Sequence, residues 1–325
     1  MPFDDGRFHT FGVLRATEGY TFYVDGKESG FVAAEDFAAT PETGYLSFFW
    51  TAPKSSGAGR SESQYDTNAE MVIDYVRVYS SLPETVGKAE DVNPELVFND
   101  DFDGTELDST KWARRPEGPR AGKSYWKNNL SGVDGNGNLV LKMEWDEETQ
   151  LVNCGAVFSH DRFEYGYGYY EARIRFTDHH GAWGAFWMSC GNLYAESAAD
   201  GVEIDILESI DNQNGTYNHA LHSNYSSLNS LGPTRLFHEN IYDGKYHTFG
   251  VLRAATGYFF YVDGKLSSIV PDYRYTPCPK NGYIQLTCEA SEGTGAGTPE
   301  CIADMPAEMV VDYVRVWDAI PDLNS

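Results

Sequence analysis

The sequence predicts an all-β chain, a β-sandwich of the jelly-roll kind, on three observations. Apolar and polar residues fall into short runs separated by turn residues, with 32 glycines and 14 prolines in 325 residues. Long helical periodicities are scarce. Asp-Gly occupies a hairpin-turn position in "YVDGK", and does so twice, at 23–27 and 261–265.

The first element is half of a repeat. "DGRFHTFGVLRATEGYTFYVDGK" from Asp5 returns as "DGKYHTFGVLRAATGYFFYVDGK" from Asp243, identical at 18 of 23 positions. "AEMVIDYVRV" from Ala69 returns as "AEMVVDYVRV" from Ala307 at the same offset of 238. Residues 1–80 are therefore read as a partial copy of the C-terminal part of one domain. The polar, proline-containing stretch "SLPETVGKAEDVNPEL" makes 81–95 a linker. Residues 96–318 form a complete domain and 319–325 a tail. A back half alone has half a core and exposed sheet edges. It either stays poorly folded, pairs with another chain, or competes with 242–318 for residues 96–240 and makes a circular permutant; native order is the preferred arrangement.

Within 96–318, eight stretches read as strands: 137–145, 168–176, 184–190, 201–209, 247–254, 258–264, 282–288 and 309–317. Many short strands at near-regular spacing give the sandwich.

Composition restricts partners. Forty-nine acids against 24 Lys and Arg leave a net charge of −25, a field that repels nucleic acid and anionic surfaces. No apolar run approaches a membrane span. "MPFDDGRFHTFG" lacks the basic and apolar segments of a signal peptide, so an export signal would lie outside this sequence. Five scattered cysteines form no CxxC pair, which argues against zinc or redox motifs; most read as small buried residues.

The chemistry concentrates in "GVEIDILES" (201–209), an apolar strand carrying Glu203, Asp205 and Glu208. In a regular strand Glu203 and Asp205 share a face and Glu208 points away. One β-bulge between Asp205 and Glu208 returns all three to one groove. Crowded carboxylates must separate in pKa. Retaining glycoside hydrolysis needs one ionised carboxylate as nucleophile and one protonated carboxyl as acid, then base. That assigns Glu203 as nucleophile, Asp205 as assisting acid and Glu208 as acid/base. The same spacing alone also suits a solvated outer face or ligands of structural calcium. "HGAWGAFWMSC" just upstream supplies Trp183 and Trp187 as stacking faces for sugar rings, or as core.

With these pieces assembled, residues 97–318 resemble glycoside hydrolase family 16, the laminarinase–agarase–lichenase group. The matching segments are "VFNDDFDGTELDSTKW", "FEYGYGYYEARIRF", "GAWGAFWM", "VEIDILE", "HALH", "YHTFGV", "YVDGK" and "VVDYVRVW". The resemblance implies a concanavalin A-like jelly roll and the same roles for the three acids. It implies substrate contacts from Trp183 and Trp187, from His222 near the acid/base, and from Trp126 and Asn129 on the glycone side. It also implies a structural calcium held by Asp101 and Asp312, with no cofactor needed for chemistry. An EF-hand reading of "NDDFDG" fails because Thr110 stands at position twelve. The chain departs from many laminarinases in having Gly184 where they have proline, and Val202 before Glu203 where they have glycine.

The function expected is a retaining endo-β-glycanase acting on β-1,3-glucan or mixed-linkage β-1,3-1,4-glucan. Alternatives are a galactan or mucin-type glycan hydrolase, a transglycosylase, or a silent carbohydrate-binding protein on the same scaffold. Intact Glu203 and Glu208 argue against the last. The partner is a polysaccharide rather than nucleic acid or membrane. The chain is expected to be a monomer, secreted or at a cell surface, with residues 1–80 as a route to pairing.

Overall fold

A computed structural model describes residues 8–36, 46–48, 71–78, 94–120, 123–211, 215–226, 231–237, 240–272, 274–290, 293, 295–321 and 323. The chain divides into two compact units, Met1–Val92 and Asn93–Ser325. The expected linker lies outside the described residues except for its last two positions.

In the first unit, strands Phe11–Ala16, Gly19–Val24 and Lys27–Ala33 form an antiparallel three-stranded sheet. Asp25 and Gly26 both take positive φ (48° and 71°), as a two-residue hairpin turn demands. Residues 71–78 carry no strand pairing, although their second copy is a full strand.

The second unit builds two sheets. In the larger, the spatial order runs Lys265–Pro271, Gly257–Val262, His247–Ala254, Gly168–Arg175, Ala307–Trp317, Leu139–Asp146, Leu151–Cys154, Ser124–Trp126, Gly118–Pro119. Leu96–Asp100 pairs with Ala307–Trp317 off this path. The smaller sheet runs Leu231–Phe237, Thr216–His222, Gly201–Asp211, Ala182–Gly191, Gly282–Ala290, Ala156–Phe158, Ala113–Arg114. All eight stretches expected to be strands are strands. Thr216–His222 and Leu231–Phe237 were not foreseen, and their irregular pairing register explains why alternation there is weak.

The core lies between the sheets. Val202, Ile204, Ile206 and Leu207 from the smaller sheet are wholly buried with Phe249, Val251, Met309, Val311 and Val314 from the larger. At about 25 cal/mol per Å² of apolar area, such burial is the main driving force. All five cysteines are buried and free, so they act as core residues.

Arg253 is an exception to the apolar core. It is fully buried, and its guanidinium donates to the carbonyls of Tyr165, Cys278 and Lys280 and to the Tyr170 hydroxyl. These bonds hold the Cys278–Lys280 turn that leads into the Gly282–Ala290 strand. Arg253→Ala should strand several buried acceptors and lower unfolding free energy by about 3 kcal/mol or more. Urea unfolding tests this; a change below about 1 kcal/mol would mean that water satisfies the turn equally well.

Candidate active site

Gly201 opens the acid-bearing strand because the chain crosses close to another segment there. A Cβ at Gly201 would sit 1.9 Å from the Asn192 carbonyl oxygen. From Gly201 the side chains alternate: Val202 and Ile204 enter the core, while Glu203 and Asp205 take the opposite face. Pairing to both neighbours then slips. Trp187 pairs with Asp205 but Phe186 with Leu207, and on the other side Ala220 pairs with Asp205 but Asn218 with Glu208. Ile206 is the extra residue of this bulge. Ile206 and Leu207 are both buried in the core, so Glu208 rejoins the face of Glu203 and Asp205.

The neighbouring strands supply matching side chains in unbroken alternation. Opposite the acids stand His222, Ala220 and Asn218 on one side, and Ser189, Trp187 and Ala185 on the other. One strand further, Gln285, Thr287 and Glu289 share this face. The three acids, Trp183, Trp187 and His222 line a cavity of about 190 Å³ together with Arg120, Tyr225 and Glu289. A larger cavity, of about 730 Å³, lies between residues 175–179 and 304–308 and contains none of the three acids.

Each acid has its own surroundings. Burial raises the Glu203 pKa, against a Tyr225 hydrogen bond and the charges of His222 and Arg120. Burial and then Glu208 push Asp205 well up, opposed by its contact with His222. Glu208 is also raised by burial; Asn218 Nδ2 and Trp183 Nε1 donate to its two oxygens at 2.9 and 3.1 Å. His222 Nε2 lies 3.1 Å from Asp205 Oδ2. One oxygen of Glu203, one of Asp205 and a ring nitrogen of His222 lie within 4.8 Å of one another. The contact with Asp205, then the surrounding carboxylates, outweigh desolvation and lift His222 to about 9. The result is a buried group of three carboxyls beside the basic side chains of His222 and Arg120. Such a site can keep one carboxylate charged while another holds its proton.

Sequence reasoning missed several residues. Glu289 is buried and accepts from Arg120 Nε at 2.7 Å. Its signal was present: "YIQLTCEA" alternates polar Gln285, Thr287 and Glu289 with apolar Ile284, Leu286 and Cys288. Arg120 and Tyr225 sit in irregular segments and gave none. Arg115 lies over the rings of Trp126, Phe158 and Trp187, at 4.9, 4.8 and 5.9 Å from their centroids, and bonds Gln285. Trp126 does not line the cavity of the acids; Arg120, which does, lies 5.6 Å from its ring centroid. His219, the other histidine of "HALH", supports the bulge. It is buried, and its Nδ1 contacts the Ile206 carbonyl at 2.5 Å, holding the bulge.

Three further expected site residues lie elsewhere. Asn129 is not in the cavity of the acids. The 3-10 turn Asn128–Leu130 sends Leu130 into the interior, and Asn129 lines a separate cavity with Leu107, Trp112 and Arg162. The expected calcium ligands, Asp101 and Asp312, also lie outside the cavity of the acids, each beside an arginine. Asp101 pairs with Arg315 at 2.8 Å and accepts from Asn99, while Asp312 pairs with Arg173. Guanidiniums already occupy both carboxylates, and among the described residues the two belong to no shared ligand cluster. Gly184 explains one departure in sequence: its N–H donates to Ser209 Oγ at 2.8 Å, a bond proline cannot make.

A family model described as the GH16 domain of beta-porphyranases A–D matches residues 94–319. The keratan-sulfate endo-1,4-beta-galactosidase of Sphingobacterium multivorum is 30% identical over 240 residues, covering 69% of this chain and 55% of that protein. Glucan endo-1,3-beta-glucosidase A1 of Niallia circulans is 25% identical over 264 residues, covering 68% and 37%. The chain thus spans about half, or less, of the length of these relatives. Among solved structures, the endo-beta-1,3-glucanase from Pyrococcus furiosus aligns at a TM-score of 0.59 and 25% identity, over 69% of this chain and 94% of that one.

The His222 charge can be read directly. Nitrogen-15 NMR of the ring should show an imidazolium at pH 7.5 with a midpoint near 9. In Asp205→Asn the midpoint should fall toward the ordinary value of about 6.5. A wild-type midpoint already near that value would contradict the ion pair.

Proposed function

The chain belongs to glycoside hydrolase family 16, and from that premise we propose that it is a retaining endo-β-glycanase. The observation that carries this reading is the bulge at Ile206, which gathers Glu203, Asp205 and Glu208 on one face beneath Trp183 and His222. Glu203 attacks the anomeric carbon as Glu208 gives its proton to the departing glycosidic oxygen. This forms a glycosyl–Glu203 ester and frees the aglycone. Glu208, now ionised, takes a proton from water, whose oxygen displaces Glu203 and leaves the product with its original configuration. Tyr225, His222 and Arg120 favour the charged form of Glu203. Burial favours the protonated form of Glu208. Asp205 lies between the two and, with His222, assists both. No step calls for a cofactor or a metal.

The substrate of this reading is a β-1,3-glucan or a mixed-linkage β-1,3-1,4-glucan. It is supported by the N. circulans relative and by the likeness to the P. furiosus glucanase. A second reading, a β-galactan, is favoured by the S. multivorum relative and by the porphyranase family model. The Arg115–Arg120–Glu289 group would then meet sugar substituents absent from glucans. Polymers do not cross membranes unaided, so either reading implies action outside the cytoplasm. Among the described residues no helix is long and apolar enough to span a membrane.

Reducing-end release from laminarin, barley β-glucan, agarose, porphyran and keratan sulfate, each at equal mass, separates these readings. The expected result is release from laminarin or barley β-glucan, reduced at least about 10³-fold in Glu203→Gln and in Glu208→Gln. Release from galactans alone moves the assignment to the second reading. Binding without release from any polymer would sink the hydrolase.

A further inference from the structure

The sheet face that carries the acids continues past them. Cross-strand pairing sets Glu203 beside Ser189, and Ser189 beside Tyr283. The next row runs Asp205, Trp187, Gln285 and Phe158. Neighbouring strands lie about 4.8 Å apart, so the strand of Tyr283 is about 10 Å from that of Glu203. Ser189 between them is small and buried, and its Oγ accepts from Gln285 Nε2 at 2.9 Å. The row therefore dips between Glu203 and Tyr283.

At its far end stands an aromatic corner. The rings of His160 and Tyr283 meet at 71° with centroids 4.5 Å apart, and His160 lies nearly parallel to Phe158, at 14° and 6.1 Å. Phe158 backs the corner, with the Arg115 guanidinium 4.8 Å from its centroid. All three rings are partly exposed, the His160 side chain to 43%. The corner is held in place: Ser159 N–H donates to the Ile284 carbonyl and Ile284 N–H to Ser159 Oγ, both at 2.9 Å. The turn that bears His160 is thus fixed to the strand that bears Tyr283. Asp161 Oδ2 and Glu164 Oε1 lie 3.2 and 3.8 Å from the two His160 nitrogens. Partly exposed rings rimmed by carboxylate oxygens suit a pyranose, whose C–H face stacks on a ring while its hydroxyls donate to the rim.

We infer that Phe158, His160 and Tyr283 form a second sugar subsite, which seats a pyranose unit of the same polysaccharide chain that is cut at Glu203 and Glu208. This rests on the reading of the chain as a polysaccharide hydrolase. The occupant follows from continuity: a glycan lying across the strands through Glu203 passes over Ser189 and arrives at Tyr283. None of the three residues lies in the segments that carry the family resemblance. A corner already fixed in place spends little ordering on binding, so it adds affinity for every chain long enough to reach it. Chains that fill only the cavity of the acids gain nothing from it. The subsite thus makes the protein select for length.

The test is calorimetry on the full chain carrying Glu203→Gln, with oligosaccharides from disaccharide to octasaccharide of whichever polymer the wild type cuts. Adding Tyr283→Ala or His160→Ala should weaken the longest ligands at least about tenfold and leave the shortest within about twofold. Tyr283→Phe keeps the ring and should bind the longest within about threefold of the parent. An unchanged urea transition shows that each variant is folded. Equal weakening at every length would mean that the rings act through the acids, and no weakening at any length would mean that the corner is empty; either overturns the subsite. Where the wild type cuts none of the five polymers, the hydrolase reading has failed, and retention in gels containing each polymer tests the subsite by itself. Retention lost in Tyr283→Ala upholds it. Retention unaffected by that change, or absent from the start, overturns it.

Discussion

One extra residue, Ile206, is the constraint on which the rest of the site depends. An unbulged strand would send Glu208 into a core of Phe249, Val251 and Met309. Burying a carboxylate there without a partner costs several kcal/mol, on the order of the whole stability of a domain. With the bulge, Ile206 and Leu207 fill that core in succession and Glu208 faces the cavity. A bulge leaves a backbone group outside the ladder, and here the Ile206 carbonyl is met by His219 Nδ1. His219 is itself held between the rings of Phe237 and Phe260, at 4.9 and 4.8 Å. The packing of the larger sheet thus reaches the geometry of the acids through one imidazole.

The electrostatics of the cavity run against those of the chain. The protein carries a net charge of −25, yet the cations Arg115, Arg120 and His222 gather around the three acids. Their partners are fixed: Gln285, Glu289 and Asp205 respectively. Fixed charges in a buried site act more strongly than mobile ones at the surface. They oppose the burial that raises the Glu203 pKa. At Asp101 and Asp312 arginines likewise supply positive charge beside the carboxylates.

Much of this was legible in the sequence. Alternation in "GVEIDILES", broken once by Ile-Leu, reveals the strand and its bulge together. The repeat, at a constant offset of 238, reveals the partial copy. What was not legible depends on long-range pairing. Glu289 reaches the acids because its strand lies beside Ala182–Gly191, a neighbour about 100 positions away that local pattern cannot name. Arg120 and Tyr225 arrive on irregular segments whose course has no period. Asn129 lines a separate cavity, and the motif "YWKNN" does not record how the following turn is oriented. The three acids come together in one cavity because the bulge ties them to one another within six residues, whereas nothing local fixes where Asn129, Asp101 and Asp312 lie relative to them.

The central claim is that Glu203 and Glu208 work as a nucleophile and an acid/base across a covalent intermediate. The most direct test is proton NMR of the anomeric signals in the first minutes of hydrolysis, before mutarotation. A glycan of the preferred class, cut by the wild-type chain, should release a reducing end that appears first as the β-anomer. Initial appearance of the α-anomer would mean inversion, with water rather than Glu203 attacking the sugar, and would contradict the assignment of both acids.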